Sequence, residues 1–288
     1  MILGQALKAG IEQLTASGVP SPRMNAELLL MFTLGCDRAY LYGHPEQVID
    51  AHELSLYEQA LRQRASGVPA QYITGHQEFW GLDLIVSPAV LIPRPETEHV
   101  IETVLELYRG AKPGAPQTAG CWRVVDVGTG SGAIAIALAK EMPNCEIHAT
   151  EISRPALEIA RANAARHQLE NHIQFHETDL LRGLAPAAFD LVVSNPPYVG
   201  ESEADQVQLE VRKFEPRNAV FAGETGLEVI ERLIPQAYAV LKATGWLVIE
   251  ISGTIGEGVE KLFRAWPEVQ IRNDLKAIPR VVAAQKPE

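Results

Sequence analysis

The sequence contains very little cysteine, and the cysteines it has are far apart. Its three cysteines, Cys36, Cys121 and Cys145, form no Cys-x-x-Cys pair. This spacing indicates neither a disulfide framework nor a zinc site. It is consistent with a reducing compartment, and we expect a cytoplasmic protein.

Export and membrane signals are missing as well. The N-terminus shows no basic segment followed by an apolar run and a small-residue cleavage site. The longest apolar runs fall far short of the roughly 20 residues that cross a bilayer. We therefore expect no signal peptide and no membrane partner.

Positive charge is in deficit, with a net charge of −11 and a sequence pI near 5.3. An acidic surface repels phosphate backbones, and no basic segment interleaved with aromatics offsets it. The composition thus argues against a direct nucleic-acid substrate. The histidines suggest no metal site either, because His172 and His176 flank a predicted strand instead of sharing a helix face.

Apolar residues are abundant enough for a full core, at 47% of 288 residues. Residues 1–74 show helical periodicity, which predicts a small helical bundle with a docking or capping role. The predicted helices cover Gly4 to Leu14, a segment starting at Ser21, and about Asp50 to Ala65. The apolar face of the second helix is predicted to contain Ala26, Leu29, Leu30 and Phe32.

Residues 75–95 are predicted to form a β-hairpin followed by an extended linker. The stretch Glu78–Val86 partly alternates and contains a glycine, while Pro93 and Pro95 stiffen the connector. Thr97 is predicted to cap the helix that follows. A run rich in glycine, proline and alanine, from Arg109 to Gly120, predicts an exposed loop.

Residues 96–288 alternate strands with helices, which predicts an α/β domain built on a doubly wound sheet. Ligands of such sheets bind at the carboxyl ends of the strands, where the strand order reverses. The predicted strands are residues 123–127, 146–151, 173–176, 189–194, 245–251, 269–272 and 281–284.

Three features follow the first three of these strands. The glycine loop, Gly128-Thr129-Gly130-Ser131-Gly132, allows a ligand to approach the backbone beside a helix N-terminus. Glu151 is placed to accept two hydrogen bonds from a ribose diol. Asp179 and Leu180 can receive an adenine amine and offer a backbone N–H. Nicotinamide-binding folds share the glycines and the strand-two acid, and either acid is also explained as a helix cap or a solvated loop charge.

The fourth strand ends in Ser194-Asn195-Pro196-Pro197-Tyr198. Two consecutive prolines cannot continue a sheet ladder, and they hold the preceding residue extended. The side-chain oxygen of Asn195 and the carbonyl of Pro196, here called the amide holder, can accept both hydrogens of a planar –NH2 group, and Tyr198 can pack against its face. A hydride-transfer enzyme does not need such a holder, whereas a methyl donor facing an amide nitrogen does.

Together with Phe79–Leu82, Leu91–Glu98 and Glu215–Ala219, these motifs make nearly the whole chain resemble the bacterial peptide chain release factor N5-glutamine methyltransferases, the HemK type. That resemblance implies a class I methyltransferase (Rossmann-like) fold, mostly parallel with one antiparallel strand near the edge. It implies S-adenosyl-L-methionine as cofactor, S-adenosyl-L-homocysteine as product, and the glutamine of a release factor Gly-Gly-Gln motif as substrate.

The resemblance also implies roles for individual residues. The substrate glutamine would meet Asn195, Pro196, Pro197 and Tyr198, with the first, second and fourth acting in catalysis. The N-terminal domain would dock the release factor. The cofactor would bind Asp126, Gly128, Thr129, Gly130, Ser131, Gly132, Glu151, Asp179, Leu180 and Asn195.

Some positions depart from the family pattern. Leu180 replaces an aromatic found in some relatives, and Ser252 and Ala277 stand where glycine is usual. Two other functions remain open, a nucleic-acid adenine-N6 methyltransferase and a non-catalytic nucleotide-binding module. The stretch Gly200–Arg217 is open to interpretation as a mobile lid or as a solvated helix face.

The chemistry also follows from the residues themselves. An amide nitrogen is a poor nucleophile, because its lone pair is delocalised into the carbonyl. Fixing both N–H bonds at the amide holder would aim that nitrogen at a methyl donor, and such positioning can supply on the order of 7 kcal/mol. A neutral thioether leaving group needs no protonation, so no general base is required before methyl transfer.

Overall fold

The chain forms two compact units, seen in a computed structural model that describes residues 1–110 and 122–288. The first unit comprises Met1–His76 together with Gln208–Phe214, and the second comprises Gln77–Val207 and Glu215–Glu288. The first unit therefore contains a short segment from deep in the second half of the chain. The sequence pattern does not predict that this segment belongs to the first unit.

The first unit is a helical bundle around an aliphatic core. Its helices are α1 (Leu3–Ala16), α2 (Pro22–Leu34), α3 (Arg38–Gly43), α4 (Ala51–Ala65) and α5 (Ala70–Thr74). Asp50 starts α4 with a capping box, in which its side chain and that of Glu53 each accept the other's backbone N–H. Ala26, Leu29 and Leu30 are buried as predicted, but Phe32 is 49% exposed and does not belong to the core face.

A two-stranded sheet, β1 (His76–Phe79) and β2 (Leu82–Ile85), follows the bundle. Trp80 and Gly81 connect the strands, and both have positive φ, as a type I′ hairpin turn requires. A 3₁₀ turn, Pro95–Thr97, then leads into α6 (Glu98–Gly110). Arg109 and Gly110 end this helix instead of starting a loop, and the remainder of the predicted loop lies outside the described residues.

A seven-stranded sheet forms the centre of the second unit, in the order β10-β11-β9-β6-β3-β4-β5. Only β11 runs against its neighbours, so the sheet is mostly parallel with one antiparallel strand near an edge, as predicted. The order reverses between β3 and β6, which is where such folds bind ligands. The strands are β3 (Arg123–Val127), β4 (Glu146–Glu151), β5 (Ile173–Glu177), β6 (Phe189–Ser194), β9 (Leu241–Glu250), β10 (Glu268–Asn273) and β11 (Pro279–Gln285).

Helices cover both faces of this sheet, because its strands are apolar on both sides. One core contains side chains of α6 and α7, among them Ile101 and Ile136. The other contains side chains of α11 and α12, among them Leu233 and Val259. The remaining elements are α7 (Ala133–Glu141), α8 (Arg154–Arg166), β7 (Val199–Gly200), α9 (Leu209–Phe214), α10 (Arg217–Val220), β8 (Phe221–Gly223), α11 (Glu228–Val240) and α12 (Gly256–Leu262).

The predicted Gly200–Arg217 stretch is structured. A 3₁₀ turn spans Glu201–Gln206, and α9 follows with no buried residue.

Within residues 1–110 and 122–288, no helix is long and apolar enough to cross a membrane. The same residues contain no cluster of three or more acidic, histidine or cysteine side chains able to hold a metal ion.

Candidate active site

The glycine loop follows β3 and forms the floor of a cavity of about 340 Å³ in the second unit. Gly128 and Gly130 have φ of +69° and +56°, and an added Cβ at Gly128 would meet nothing within 4 Å. The absent side chains thus leave open space beside the backbone. Gly132 is different, since its Cβ would lie 3.0 Å from Ile136 and 3.3 Å from Ala160, so it permits close packing at the start of α7.

Glu151 ends β4 and turns its carboxylate to the same cavity. Its two oxygens accept backbone N–H groups from Gly130, at 3.0 Å, and Ser153, at 2.9 Å. The side chain is only 8% exposed and is held in one orientation. Each carboxylate oxygen has a second lone pair, which can accept a hydroxyl of a ligand.

Asp126 lies behind the glycine loop. Its Oδ2 accepts the Thr129 hydroxyl at 2.6 Å and the Ala135 N–H at 3.2 Å, while the buried Oδ1 has no hydrogen-bond partner among the described residues. Burial raises the pKa of Asp126 to about 7, with a smaller increase from the charge of Glu151, against the lowering effect of the two hydrogen bonds. Through these two hydrogen bonds, Asp126 connects the end of β3 to the glycine loop and to the first turn of α7.

Asp179 and Leu180 line the far end of the cavity, after β5. Asp179 forms an ion pair with Arg232 of α11. Arg232 also lines the cavity, and it is not among the site residues predicted from the sequence. Leu180 has a φ of +52°, a left-handed conformation that is unusual for a residue with a branched side chain. Backbone strain of this kind is common at binding sites.

The amide holder follows β6, next to the glycine loop. The Ser194 hydroxyl donates to the Val127 carbonyl at 2.7 Å and so joins the ends of β6 and β3. The Asn195 side-chain nitrogen donates to the Thr97 hydroxyl at 3.0 Å, which leaves its carbonyl oxygen to accept from a ligand. The Tyr198 hydroxyl donates to Glu250 at 3.1 Å, and burial raises the pKa of Tyr198, so the phenol stays neutral.

Two chain segments form the remaining wall of the cavity, and a buried carboxylate joins them. The Glu215 carboxylate accepts hydrogen bonds from the Arg94 guanidinium, at 2.5 Å, and from the Ile92 N–H, at 3.2 Å. The Glu215 side chain is 2% exposed and that of Arg94 is 31% exposed, so the carboxylate is buried and the guanidinium partly solvated. The pair joins two segments that line the cavity, one with Pro93, Arg94 and Thr97 and the other with Pro216, Asn218 and Ala219.

Most of the residues selected from the sequence come together here. Those that line the cavity are Gly128, Thr129, Gly130, Ser131, Glu151, Asp179, Leu180, Asn195 and Pro197. The other four do not line it: Asp126, Gly132, Pro196 and Tyr198. Asp126 supports the loop, Gly132 allows helix packing, and Tyr198 is bonded to Glu250.

Comparison with known proteins gives two family matches along the chain. Residues 5–75 match the family model described as the PrmC N-terminal domain, and residues 117–213 match the methyltransferase small domain. A release factor glutamine methyltransferase of Koribacter versatilis is 53% identical over 100% of this chain and 99% of its own length. One from Rhodopirellula baltica is 36% identical over 93% of this chain and 91% of its own.

Solved structures show the same fold at much lower identity. A methyltransferase from Pyrococcus furiosus superposes with a TM-score of 0.50 and 19% identity, over 72% of this chain and 90% of its own. The N-terminal domain of human METTL16 in complex with SAH gives a TM-score of 0.52 and 16% identity, over 95% and 94%. These likenesses support the class I methyltransferase fold.

Proposed function

This chain belongs to the family of release factor glutamine methyltransferases, and from that premise we propose how its own residues perform the reaction. It transfers a methyl group from S-adenosyl-L-methionine to the side-chain amide nitrogen, N5, of the glutamine in the Gly-Gly-Gln motif of peptide chain release factors. The observation that carries this function is 53% identity to such an enzyme over the full length. Release factors act in translation, so we place the enzyme in the cytoplasm.

The cavity fits S-adenosyl-L-methionine. The glycine loop offers open space where a Cβ would otherwise project, and Glu151 presents an oriented carboxylate in the same cavity. We propose that the loop receives the methionine portion, that Glu151 receives the ribose hydroxyls, and that Asp179 and Leu180 receive the adenine. A volume of about 340 Å³ lies within the range of small-molecule sites.

When bound, the cofactor supplies an electrophilic methyl group and leaves as a neutral thioether, S-adenosyl-L-homocysteine. The protein's part is to orient the nucleophile. We propose that the Asn195 carbonyl oxygen and the Pro196 carbonyl accept the two hydrogens of the substrate –NH2 group. These acceptors fix the nitrogen in place and stabilise the positive charge that develops on it. After the transfer, the methylated nitrogen loses one of its two hydrogens as a proton to water. The neutral Tyr198 phenol is no base, which agrees with a reaction that needs none before methyl transfer.

We propose that the substrate is a protein and not a nucleic acid. The net charge of −11 opposes a phosphate backbone, and no described cluster of basic side chains lines the cavity, where only Arg94 and Arg232 occur and both are paired. Incubation with methyl-labelled cofactor and either a release factor or unmethylated DNA tests this. Label on the release factor, lost when its Gly-Gly-Gln glutamine is replaced by alanine, is the expected result. Label on DNA would contradict it.

The helical unit carries a surface suited to protein docking. Met24, Leu28 and Phe32, here called the apolar stripe, are spaced four residues apart on α2 and are all exposed. A groove beside the stripe, within the same unit, is also lined by Leu209 and Phe214 of the segment 208–214. Exposed apolar patches of this kind mark protein interaction sites. We propose that the release factor docks here.

Single substitutions test this better than removal of residues 1–74. Arg64, which is buried, donates to Glu210 at 2.6 Å, so truncation would leave the segment 208–214 without its partners. We expect Met24→Glu to raise the KM for intact release factor about tenfold and to leave cofactor affinity unchanged. Val48→Glu is the matched control, because Val48 is 71% exposed in the same unit and lines a different pocket. Equal KM values for both variants would rule out this docking surface.

A further inference from the structure

A buried carboxyl group lies directly behind the amide holder and is not explained by cofactor binding. Glu250 is the last residue of β9, and β9 pairs with β6 in parallel register, Ile249 opposite Ser194. The strand ends therefore place Glu250 next to the residues that follow Ser194. Its side chain is 1% exposed, and its Oε2 has no hydrogen-bond partner among the described residues.

The carboxyl group of Glu250 bonds to a hydroxyl group in the segment that contains the amide holder. The Tyr198 hydroxyl donates to Oε1 at 3.1 Å. Burial raises the pKa of Glu250, while the nearby Thr97 and Tyr198 hydroxyls have a smaller, lowering effect. The charge of Arg280 favours the carboxylate, while that of Glu96 opposes it. Glu250 and the Tyr198 hydroxyl are therefore held against each other in the protein interior.

The hydroxyl oxygen of Thr97 contacts another part of the amide holder, the Asn195 side chain. The Asn195 –NH2 group donates to that oxygen at 3.0 Å. The opposite side of the amide is its carbonyl oxygen, which is then available to the substrate. Reversing the Thr97 hydroxyl would instead favour the flipped amide.

We propose that Thr97 and Glu250 are positioning residues, which hold the Asn195 amide and the Tyr198 ring in the orientation needed to receive the substrate amide. The proposal rests on the proposed function, since it assigns Asn195 to the substrate nitrogen. Neither residue touches the substrate in this scheme. They act through Asn195 and Tyr198, so they affect the orientation of the nucleophile and not the binding of the cofactor.

The first test removes the Thr97 hydroxyl and keeps the shape of the side chain. We expect Thr97→Val to lower kcat about tenfold or more, with the Kd for the cofactor changed less than about threefold. Thr97→Ser keeps the hydroxyl and should restore most of the turnover. Thr103→Val is the matched control: Thr103 is also buried, its hydroxyl bonds the His99 carbonyl in α6, and it lies outside this network.

The second test changes the charge of the acceptor. Glu250→Gln keeps the size of the side chain but replaces one oxygen by an –NH2 group, which cannot accept the Tyr198 hydroxyl. We expect kcat to fall about tenfold at unchanged cofactor Kd.

The outcomes separate this proposal from the function on which it rests. Full turnover of Thr97→Val and Glu250→Gln, combined with loss of turnover in Asn195→Ala, would overturn the positioning role and leave the amide holder intact. Full turnover of Asn195→Ala would instead overturn the amide holder. Equal losses in Thr97→Val and Thr103→Val would mean that any buried hydroxyl has the same effect, and would also overturn the positioning role.

Discussion

The orientation of Glu151 makes cofactor affinity the first quantity to test. Replacing it by alanine removes the proposed acceptor for the ribose hydroxyls, and it also leaves the Gly130 and Ser153 N–H groups without their present partner. Hydrogen bonds to a charged group contribute about 1.5–3 kcal/mol. That range corresponds to an increase of about 10- to 150-fold in the Kd for S-adenosyl-L-methionine.

Titration calorimetry with the free enzyme measures this Kd directly. The KM for the cofactor should rise more than the saturated turnover falls, because the substrate amide is received elsewhere. Glu151→Gln separates the two effects, since it keeps one oxygen acceptor at the position. Glu177→Ala is the matched control: Glu177 ends the neighbouring strand β5, opposite Glu151 in the register, but it is exposed and lines no part of the cavity.

The result that would refute the reasoning is an unchanged Kd for a folded Glu151→Ala protein. Thermal unfolding without cofactor establishes that the variant is folded. A loss of affinity equal to that of Glu177→Ala would likewise remove Glu151 from the site, because a general change of surface charge would then explain the result.

Three further predictions concern stability. Burial raises the pKa of Asp126 to about 7, so between about pH 4 and pH 7 the folded protein keeps a proton that the unfolded chain has lost. Stability should therefore fall as the pH rises through this window. In urea unfolding without cofactor, Asp126→Asn should lose less stability than the unsubstituted protein over the same window, and equal losses would contradict the raised pKa. Ala277→Gly should stabilise by about 1 kcal/mol in the same assay, since Ala277 has a φ of +60°. Gly132→Ala should destabilise by about 2 kcal/mol, because its Cβ would crowd Ile136 and Ala160 at a φ of +85°, and an unchanged midpoint would show that the loop can relax.

The fold could be predicted from the sequence because its signals are local. Apolar strands alternate with helices from Arg123 onward, and each predicted strand overlaps a strand of the sheet. Phe32 was misassigned, because its spacing is close to that of the buried residues although it lies on the exposed side of α2. Thr97 is predicted to cap α6, but it ends a 3₁₀ turn, and its hydroxyl oxygen accepts the Asn195 –NH2 group.

What the sequence did not reveal depends on contacts between distant residues. Glu215 and Arg94 are 121 positions apart, and neither has a local pattern that predicts their ion pair. Arg232 lies on α11, and a single arginine on a helix does not by itself indicate a binding site. The association of the segment 208–214 with the helical unit depends on Arg64 and Glu210, which only the folded chain brings together.

The central claim is that Asn195 orients the substrate amide, and single-turnover methylation of intact release factor by Asn195→Ala tests it most directly. The substitution removes one of two proposed acceptors and leaves the glycine loop and Glu151 in place. Turnover should fall about 10²–10³-fold, the size of effect of one preorganised polar group, while the cofactor Kd changes less than about threefold. Near-full turnover of a folded, cofactor-loaded Asn195→Ala enzyme would contradict the account.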